Sequence, residues 1–383
     1  MVNKYGQTDT ADENSGFRKG VLIAYLVLLA VLGIALYVGQ WTDKFSEIGL
    51  AVFLIFYLFS TGLAIFLVRT NKTNSLWADA WKRLFKNKLA VFGLVVIWLI
   101  VLFVAVGPAI IYWTTGFTYD FIPPTGDLVK SFPPSLKHPM GTDEQGRDLL
   151  VRVLQGGRIS LAVGLISTIV SLVIGVSYGA IAGYSGGKID NAMMRIVDII
   201  YAIPYILIVI VLLKVFEGNN TPEFIKWIAA KFGGEGNQGL TQIFLLFFAL
   251  GLVSWLTMAR VVRGQILSLK NQEFVTAAQA TGVSRFGIIF RHLVPNALGP
   301  VIVYATLTIP SVILSEAFLS FLGIGVQPPY PSWGSLAAGG IKNLAIFPWQ
   351  LIFPGVTMAL TLFSLNFLGD GLRDALDPQT RKF

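Results

Sequence analysis

Eight apolar stretches, each long enough to cross a lipid bilayer, constrain this chain more than any other feature. A membrane-spanning helix needs about 20 predominantly apolar residues, because lipid offers an open backbone no hydrogen-bond partners. The composition, 54% hydrophobic and 13% charged, also lies outside the range of soluble globular domains. We therefore predict an all-α integral membrane protein with eight transmembrane helices. Their approximate ranges are 20–40, 48–68, 89–112, 158–183, 193–213, 241–259, 297–321 and 350–369.

Lysine and arginine in the polar connections predict the orientation of the chain. The segment 69–88 contains six basic residues and one acid, and the segment 259–296 contains five basic residues and one acid. Basic loops remain in the cytoplasm, so eight spans place both termini there. The first span follows Arg18 and Lys19 like a signal peptide, but it lacks a clear cleavage site, and we expect a retained membrane anchor. The net charge of +8 follows from these loops and does not indicate nucleic-acid binding.

A polar, basic segment, NQEFVTAAQATGVSRFGIIFRHLVPN, separates the sixth and seventh spans. The spacing of its apolar residues predicts two short amphipathic helices. Asn271 is expected to cap the first helix, and Glu273 suits its positive end. Gly282 fits the left-handed position that closes a helix. Ser284 is expected to cap the second helix, and Pro295 to stop it.

The residues alone leave two interpretations of this segment open. The smooth face formed by Ala277 and Ala278 favours docking to a cytoplasmic partner, since surface helices usually carry bulkier apolar residues there. Alternatively, the hairpin lies on the bilayer with Lys270, Arg285 and Arg291 towards lipid headgroups.

The same segment resembles the EAA loop in permease subunits of bacterial ABC importers. The pattern in that family is Glu-Ala-Ala, three residues, Gly, nine residues, Ile, one residue and Leu-Pro. This chain meets the pattern at Ala277, Ala278, Gly282 and Pro295. It departs from the pattern at Thr276, His292 and Val294.

Four other segments resemble the dipeptide, oligopeptide and nickel branch of these permeases. They are 138–161, 183–204, 315–334 and 368–378. With the EAA-type loop, the resemblance extends over about 75–383. It implies a type I importer permease with a six-helix core, to which this chain adds two N-terminal helices.

The resemblance divides the chain into three parts. Residues 1–72 are expected to form an N-terminal extension with two transmembrane helices. Residues 73–157 contain the first core helix and an extracytoplasmic loop. Residues 158–383 form the rest of the permease core, with the coupling loop at 271–296. The residues expected to couple to an ATPase are Glu273, Ala277, Ala278, Gly282, Arg285 and Pro295.

The resemblance also implies a set of partners in the bacterial plasma membrane. These are a homologous second permease subunit, two ATPase subunits or domains, and an extracytoplasmic substrate-binding protein. The transported solute would be a di- or oligopeptide or a related small molecule. ATP hydrolysis and its Mg²⁺ are expected in the ATPase chains, with no cofactor bound by this chain. The fragment Gly186-Gly187-Lys188 does not meet the phosphate-loop pattern, because Ala182 and Ile189 occupy required positions.

Charged residues outside the loop carry two further hypotheses. Glu316 lies inside the seventh span, where a carboxylate must face protein or water. It could line a transport pathway or form a helix–helix hydrogen bond. Asp143, Arg147 and Asp148 belong to a dense extracytoplasmic turn, where internal salt bridging or docking of the binding protein is expected rather than catalysis.

Two other classes of function remain as alternatives. A secondary transporter driven by an ion gradient would show inverted repeats with discontinuous helices, and no convincing repeat is evident. A membrane-embedded enzyme would need catalytic groups that converge at one depth, and the sequence suggests no nucleophile–base pair. The absence of cysteine also excludes disulfides and thiol catalysis. We therefore expect a non-catalytic transport subunit.

Overall fold

The computed structural model describes residues 76–122, 131–233 and 237–376. The first two predicted spans, and with them the proposed extension 1–72, lie outside the described residues. The described helices are α1 Leu76–Lys86, α2 Lys88–Thr115, α3 Leu149–Ser185, α4 Gly187–Tyr201, α5 Tyr205–Val215, α6 Glu223–Gly233, α7 Gln238–Leu269, α8 Glu273–Ala280, α9 Arg285–Phe321, α10 Trp333–Lys342 and α11 Trp349–Leu376.

Five of these helices, α2, α3, α7, α9 and α11, are long and apolar enough to cross a membrane. A sixth crossing is possible for α4 and α5 together, which are bent by 84° at a short break. The bend falls at Pro204, whose ring cannot continue a helix without distortion. The six crossings coincide with the third to eighth predicted spans, so the all-α membrane fold is confirmed within the described residues.

The most extensive contact between two described helices, that of α3 with α7, is formed around glycines. A Cβ atom placed on Gly179 would lie 2.3 Å from the carbonyl oxygen of Ala259, and one on Gly175 would lie 2.6 Å from Met258 Cβ. A Cβ atom placed on Gly251 of α7 would likewise lie 2.7 Å from the Cβ atom of Val170 on α3. Small residues let two membrane helices approach to backbone contact and gain dispersion energy where lipid gives no hydrophobic drive. The glycine spacing in α3 is therefore explained by packing.

A buried arginine compensates for a proline in α2. Pro108 has no N–H to donate to Val104, four residues earlier in the helix. Arg158 of α3 supplies the missing donors, with Nε 2.9 Å from the Val104 carbonyl oxygen and Nη2 2.8 Å from that of Ala105. The interaction fixes α3 against the distorted part of α2.

The short helix α10 is wedged between the spanning helices. Trp333, at its start, is fully buried and donates its indole N–H to the carbonyl oxygen of Val153 at 2.9 Å. Ser332 and Ser335 form a reciprocal capping box at the same place. The polar groups at the start of α10 are therefore hydrogen-bonded inside the protein, and Trp333 fixes this end of the helix against α3.

Candidate functional site

The hairpin, residues 271–296, begins and turns through local backbone hydrogen bonds. The N-cap of α8 is Gln272, without a side-chain capping bond, so the prediction that Asn271 caps this helix is wrong. Gly282 has φ of +78°, which confirms the predicted left-handed position. Its N–H donates to the Gln279 carbonyl at 3.0 Å, and the N–H of Val283 donates to the Ala278 carbonyl at 3.1 Å. This paired arrangement is the Schellman motif that closes many helices.

The second half of the hairpin is continuous with a spanning helix. Ser284 caps it, accepting a hydrogen bond from the N–H of Gly287 at 3.2 Å, as predicted. Pro295 does not stop the helix, contrary to the prediction. A π-helical turn, Ile288–Leu293, leads directly into the α-helical part of α9, where Pro295 occupies the first turn. The helix continues past the proline because the turn before it already departs from the α-helical hydrogen-bond pattern that a proline would interrupt.

The inner face of the hairpin is packed on three spanning helices. Val275 has no exposed surface, and Ala278 is 8% exposed. They form one apolar cluster with Ile288 and Leu293 of α9, Met258 of α7 and Ala180 of α3. Ala278, predicted to contact a partner, therefore faces the protein's own core. The hairpin is therefore in packing contact with all three helices.

The outer face of the hairpin is exposed. Of the predicted coupling residues, Glu273, Ala277, Gly282, Arg285 and Pro295 all lie on this exposed side. Two aromatic side chains also project there. Phe274 is 37% exposed and Phe286 is 69% exposed. A Cβ atom on Gly282 would meet nothing within 4 Å, so the turn is open to an approaching partner.

Ion pairs fix the neighbouring turn between α3 and α4. Arg263 of α7 forms a two-pronged contact with Asp190, with distances of 2.5 and 2.6 Å. Lys270, at the end of α7, donates to the carbonyl oxygen of Gly183 at 3.0 Å. The paired geometry of a guanidinium and a carboxylate specifies orientation as well as binding energy. The hairpin and this turn therefore form one connected end of the protein.

A cavity of about 520 Å³ lies where the α4–α5 bend faces α7 and α9. Hydroxyl groups line much of it, and no charged residue is among its described lining residues. The bend contributes Tyr201 and Tyr205. The two long helices contribute Ser254, Thr257, Tyr304, Thr308, Ser311 and Ser315. The remaining lining is apolar, so the cavity suits a solute that is hydrogen-bonded rather than bound through charge.

Glu316 lies outside this cavity and has no exposed surface. Ser320 and Ser332 each donate a hydrogen bond to its carboxyl group at 2.7 Å, and Ser160 donates a third at 3.4 Å. The three hydroxyls come from α9, the start of α10 and α3, so this carboxyl group joins three elements. The geometry favours the structural interpretation of Glu316 over the lining of a pathway.

The charged turn, residues 143–148, is closed on itself at the other end of α3. Asp143 accepts hydrogen bonds from the side chains of Arg147 and Arg152, each at 2.8 Å. Asp148 caps α3 through the N–H of Val151 at 3.0 Å and contacts His138 Nδ1 at 2.8 Å. The predicted internal salt bridging is present. Within the described residues, no group of three or more histidines and carboxylates could hold a metal ion.

Comparison with known proteins identifies the family. The family model described as "Binding-protein-dependent transport system inner membrane component" matches residues 175–382, more than half of the chain. The chain belongs to this family. A second family model, "N-terminal TM domain of oligopeptide transport permease C", matches residues 75–124 of the permease. The expectation of a multi-pass, non-catalytic permease subunit is thereby confirmed.

Curated relatives cover most of the permease. It is 47% identical over 309 residues to the oligopeptide transport system permease protein OppC of Haemophilus influenzae, covering 80% of this chain and 90% of that protein. The OppC protein of Bacillus subtilis is 42% identical over 313 residues, covering 82% and 93%. The dipeptide transport system permease protein DppC of Bacillus subtilis is 42% identical over 310 residues, covering 79% and 86%.

The cavity of the permease is the feature that the sequence analysis missed. Its signal is present in α9, where Tyr304, Thr308, Ser311 and Ser315 recur at intervals of four, three and four residues. Such spacing places all four side chains on one helix face. A hydroxyl stripe on an otherwise apolar span predicts a surface that faces protein or water rather than lipid.

Proposed function

We propose that the permease is the membrane subunit of an ATP-driven importer that moves di- or oligopeptides, or related small solutes, inward. The names of the relatives at 42–47% identity support peptides as the solute class. The coupling part of the proposal rests on the two faces of the hairpin. Its outer face is exposed, whereas its inner face is packed on the ends of three spanning helices.

Coupling follows from this arrangement. A partner ATPase that moves on binding ATP displaces the docked hairpin, contacting the exposed side of Glu273, Ala277, Gly282 and Arg285. Since Ala278 is packed inside, it transmits the displacement instead of touching the partner. The hairpin connects α7 to α9, and both helices line the cavity. Movement of the hairpin therefore alters access to the cavity, first from one side of the membrane and then from the other.

The proposed assembly contains a homologous second permease subunit, two ATPase subunits or domains, and an extracytoplasmic substrate-binding protein. ATP and Mg²⁺ bind in the ATPase chains, since the sequence of the permease contains no phosphate-binding loop. We place the protein in the bacterial plasma membrane with the hairpin and both termini in the cytoplasm, as its basic loops favour. The charged turn 143–148 then faces the binding protein.

Co-purification in mild detergent, followed by reconstitution, tests the proposal. We expect ATPase chains and a second permease to be recovered with this chain. Proteoliposomes that contain ATP should accumulate a labelled peptide once the binding protein is added. Recovery without an ATPase in several detergents would contradict the proposed assembly. Peptide uptake that continues without ATP but requires an ion gradient would contradict the proposed energy source.

A further inference from the structure

Four of the five serine and threonine hydroxyls of the cavity share one chemical property, which is that each already donates its proton to the backbone of its own helix. Ser254, Thr308 and Ser315 each donate a hydrogen bond to the carbonyl oxygen four residues earlier, at 2.8 Å. Ser311 makes the same bond at 3.3 Å. A hydroxyl group has one proton and two acceptor lone pairs. These four side chains therefore present acceptors to the cavity.

The surroundings of these acceptors determine which solute they suit. No charged residue is among the described lining residues, so neither an anion nor a cation finds an opposite charge there. An anion would also meet lone pairs, which repel it. The lining also contains three tyrosine hydroxyls, which can donate as well as accept. Tyr205 hydrogen-bonds with Ser254 and Ser315, and each of these serines keeps a second lone pair for a solute. These acceptors are best matched by a row of uncharged N–H donors.

We infer that the cavity binds a transported peptide through its main-chain N–H groups, with α9 as the principal acceptor surface. This inference rests on the proposed function. The acceptor positions on α9 are 308, 311 and 315, at steps of three and four residues. One helical turn advances about 5.4 Å, and alternate residues of an extended peptide are about 6.6 Å apart. An extended peptide can therefore meet successive acceptors with alternate N–H groups.

Recognition of this kind does not depend on peptide side chains. Every peptide carries main-chain N–H groups, whereas its side chains differ in size and charge. The apolar remainder of the cavity offers no fixed charge that would select among them. The permease should therefore accept peptides of varied sequence and distinguish an amide from an ester that lacks the N–H group.

The test combines a permease variant with a peptide variant in the reconstituted importer. The double variant Ser311→Ala/Ser315→Ala removes two acceptors, and a peptide analogue with ester links in place of two amides removes the matching donors. Ser177→Ala is the matched control, because Ser177 makes the same bond to the carbonyl four residues earlier, at 2.7 Å, but lies on α3 outside the cavity lining. Co-purified ATPase is measured for each variant, so that loss of assembly is recognised.

For the all-amide peptide, the double variant should lower the rate of uptake at limiting substrate by about fivefold or more, because two hydrogen bonds are lost and each is worth about two- to tenfold. For the ester analogue, the double variant and the unchanged permease should transport at equal rates, because the bonds are already absent. Equal slowing of both peptides, or equal slowing by Ser177→Ala, would overturn the inference. Absence of ATP-dependent uptake of any peptide by the unchanged permease would instead overturn the proposed function.

Discussion

The two ends of α9 use their side chains in opposite ways. Near its last turn, Glu316 is fully buried and accepts three hydroxyl hydrogen bonds from three elements. Near its first turn, in the hairpin, Arg285 is exposed and Phe286 is 69% exposed. At one end of α9, the charged side chain is hydrogen-bonded within the chain. At the other end, the side chains are exposed on the protein surface.

This difference distinguishes residues that stabilise the fold from residues that are available to contact a partner. A buried polar group that loses its hydrogen-bond partners costs free energy, so changes near Glu316 should act on stability. An exposed side chain with few contacts contributes little to stability, so changes on the outer face of the hairpin should act on association. Substitutions at each end can test this separation.

The largest effect on stability is expected for Glu316→Ala. The change leaves the hydroxyls of Ser160, Ser320 and Ser332 without their shared acceptor and opens a cavity among them. We expect a loss of about 3 kcal/mol in the free energy of unfolding. Thermal unfolding in detergent measures it. Glu316→Gln is the control, because its amide oxygen still accepts hydrogen bonds, and it should lose much less. Equal losses for the two variants would contradict the hydrogen-bonding role.

A smaller loss is expected for Gly179→Val, which tests the rigid contact between α3 and α7. The added Cβ atom would lie 2.3 Å from the carbonyl oxygen of Ala259, so the helices must separate. Overpacking of this kind costs about 2 kcal/mol. Gly355→Val on α11 is the comparison, since a Cβ atom there meets nothing within 4 Å. If both variants melt at the same temperature, the close approach of α3 and α7 does not contribute to stability.

Within the hairpin, a substitution on the inner face should lower the thermal stability more than a substitution on the outer face. Val275→Ala removes two buried methyl groups and should cost about 1.5 kcal/mol, because Val275 has no exposed surface. Phe286→Ala loses only the contact with the ring of Phe290, whose centroid is 4.5 Å away, so it should cost less than about 1 kcal/mol and yet reduce the amount of ATPase that co-purifies. Full ATPase recovery with Phe286→Ala would remove this aromatic side chain from the docking surface.

The transmembrane architecture is accessible from sequence because its signal is local. Each of the six predicted crossings within the described residues requires only an apolar run of sufficient length. Gly282 was also predictable, since a left-handed turn after a helix favours glycine whatever surrounds it. The structure agrees with the sequence at these local features, although the predicted cap of α8 at Asn271 is wrong by one residue.

The remaining features depend on contacts between distant residues. Glu316 meets Ser160 across 156 positions of sequence, and Arg158 meets Val104 across 54. Neither pairing leaves a periodic pattern in either segment. The prediction that Pro295 stops a helix is wrong because a proline is compatible with either a helix end or the first turn of an α-helical segment. The π-helical turn before it decides between the two.

The most direct test of the coupling role compares two glycines with the same local geometry. Gly282 and Gly116 both follow a helix with positive φ, +78° and +74°, and a Cβ atom on either meets nothing within 4 Å. Gly116 follows α2 at the end away from the hairpin. Aspartate tolerates the left-handed conformation better than most residues, so either change should cost about 1 kcal/mol or less.

The measurement is ATP-dependent peptide uptake by the reconstituted importer, together with recovery of its ATPase. Gly282→Asp should insert and fold normally but lose the ATPase and stop uptake, because a bulky charged group then occupies the docking turn. Gly116→Asp should retain both. Normal uptake by Gly282→Asp would contradict the coupling role of the hairpin.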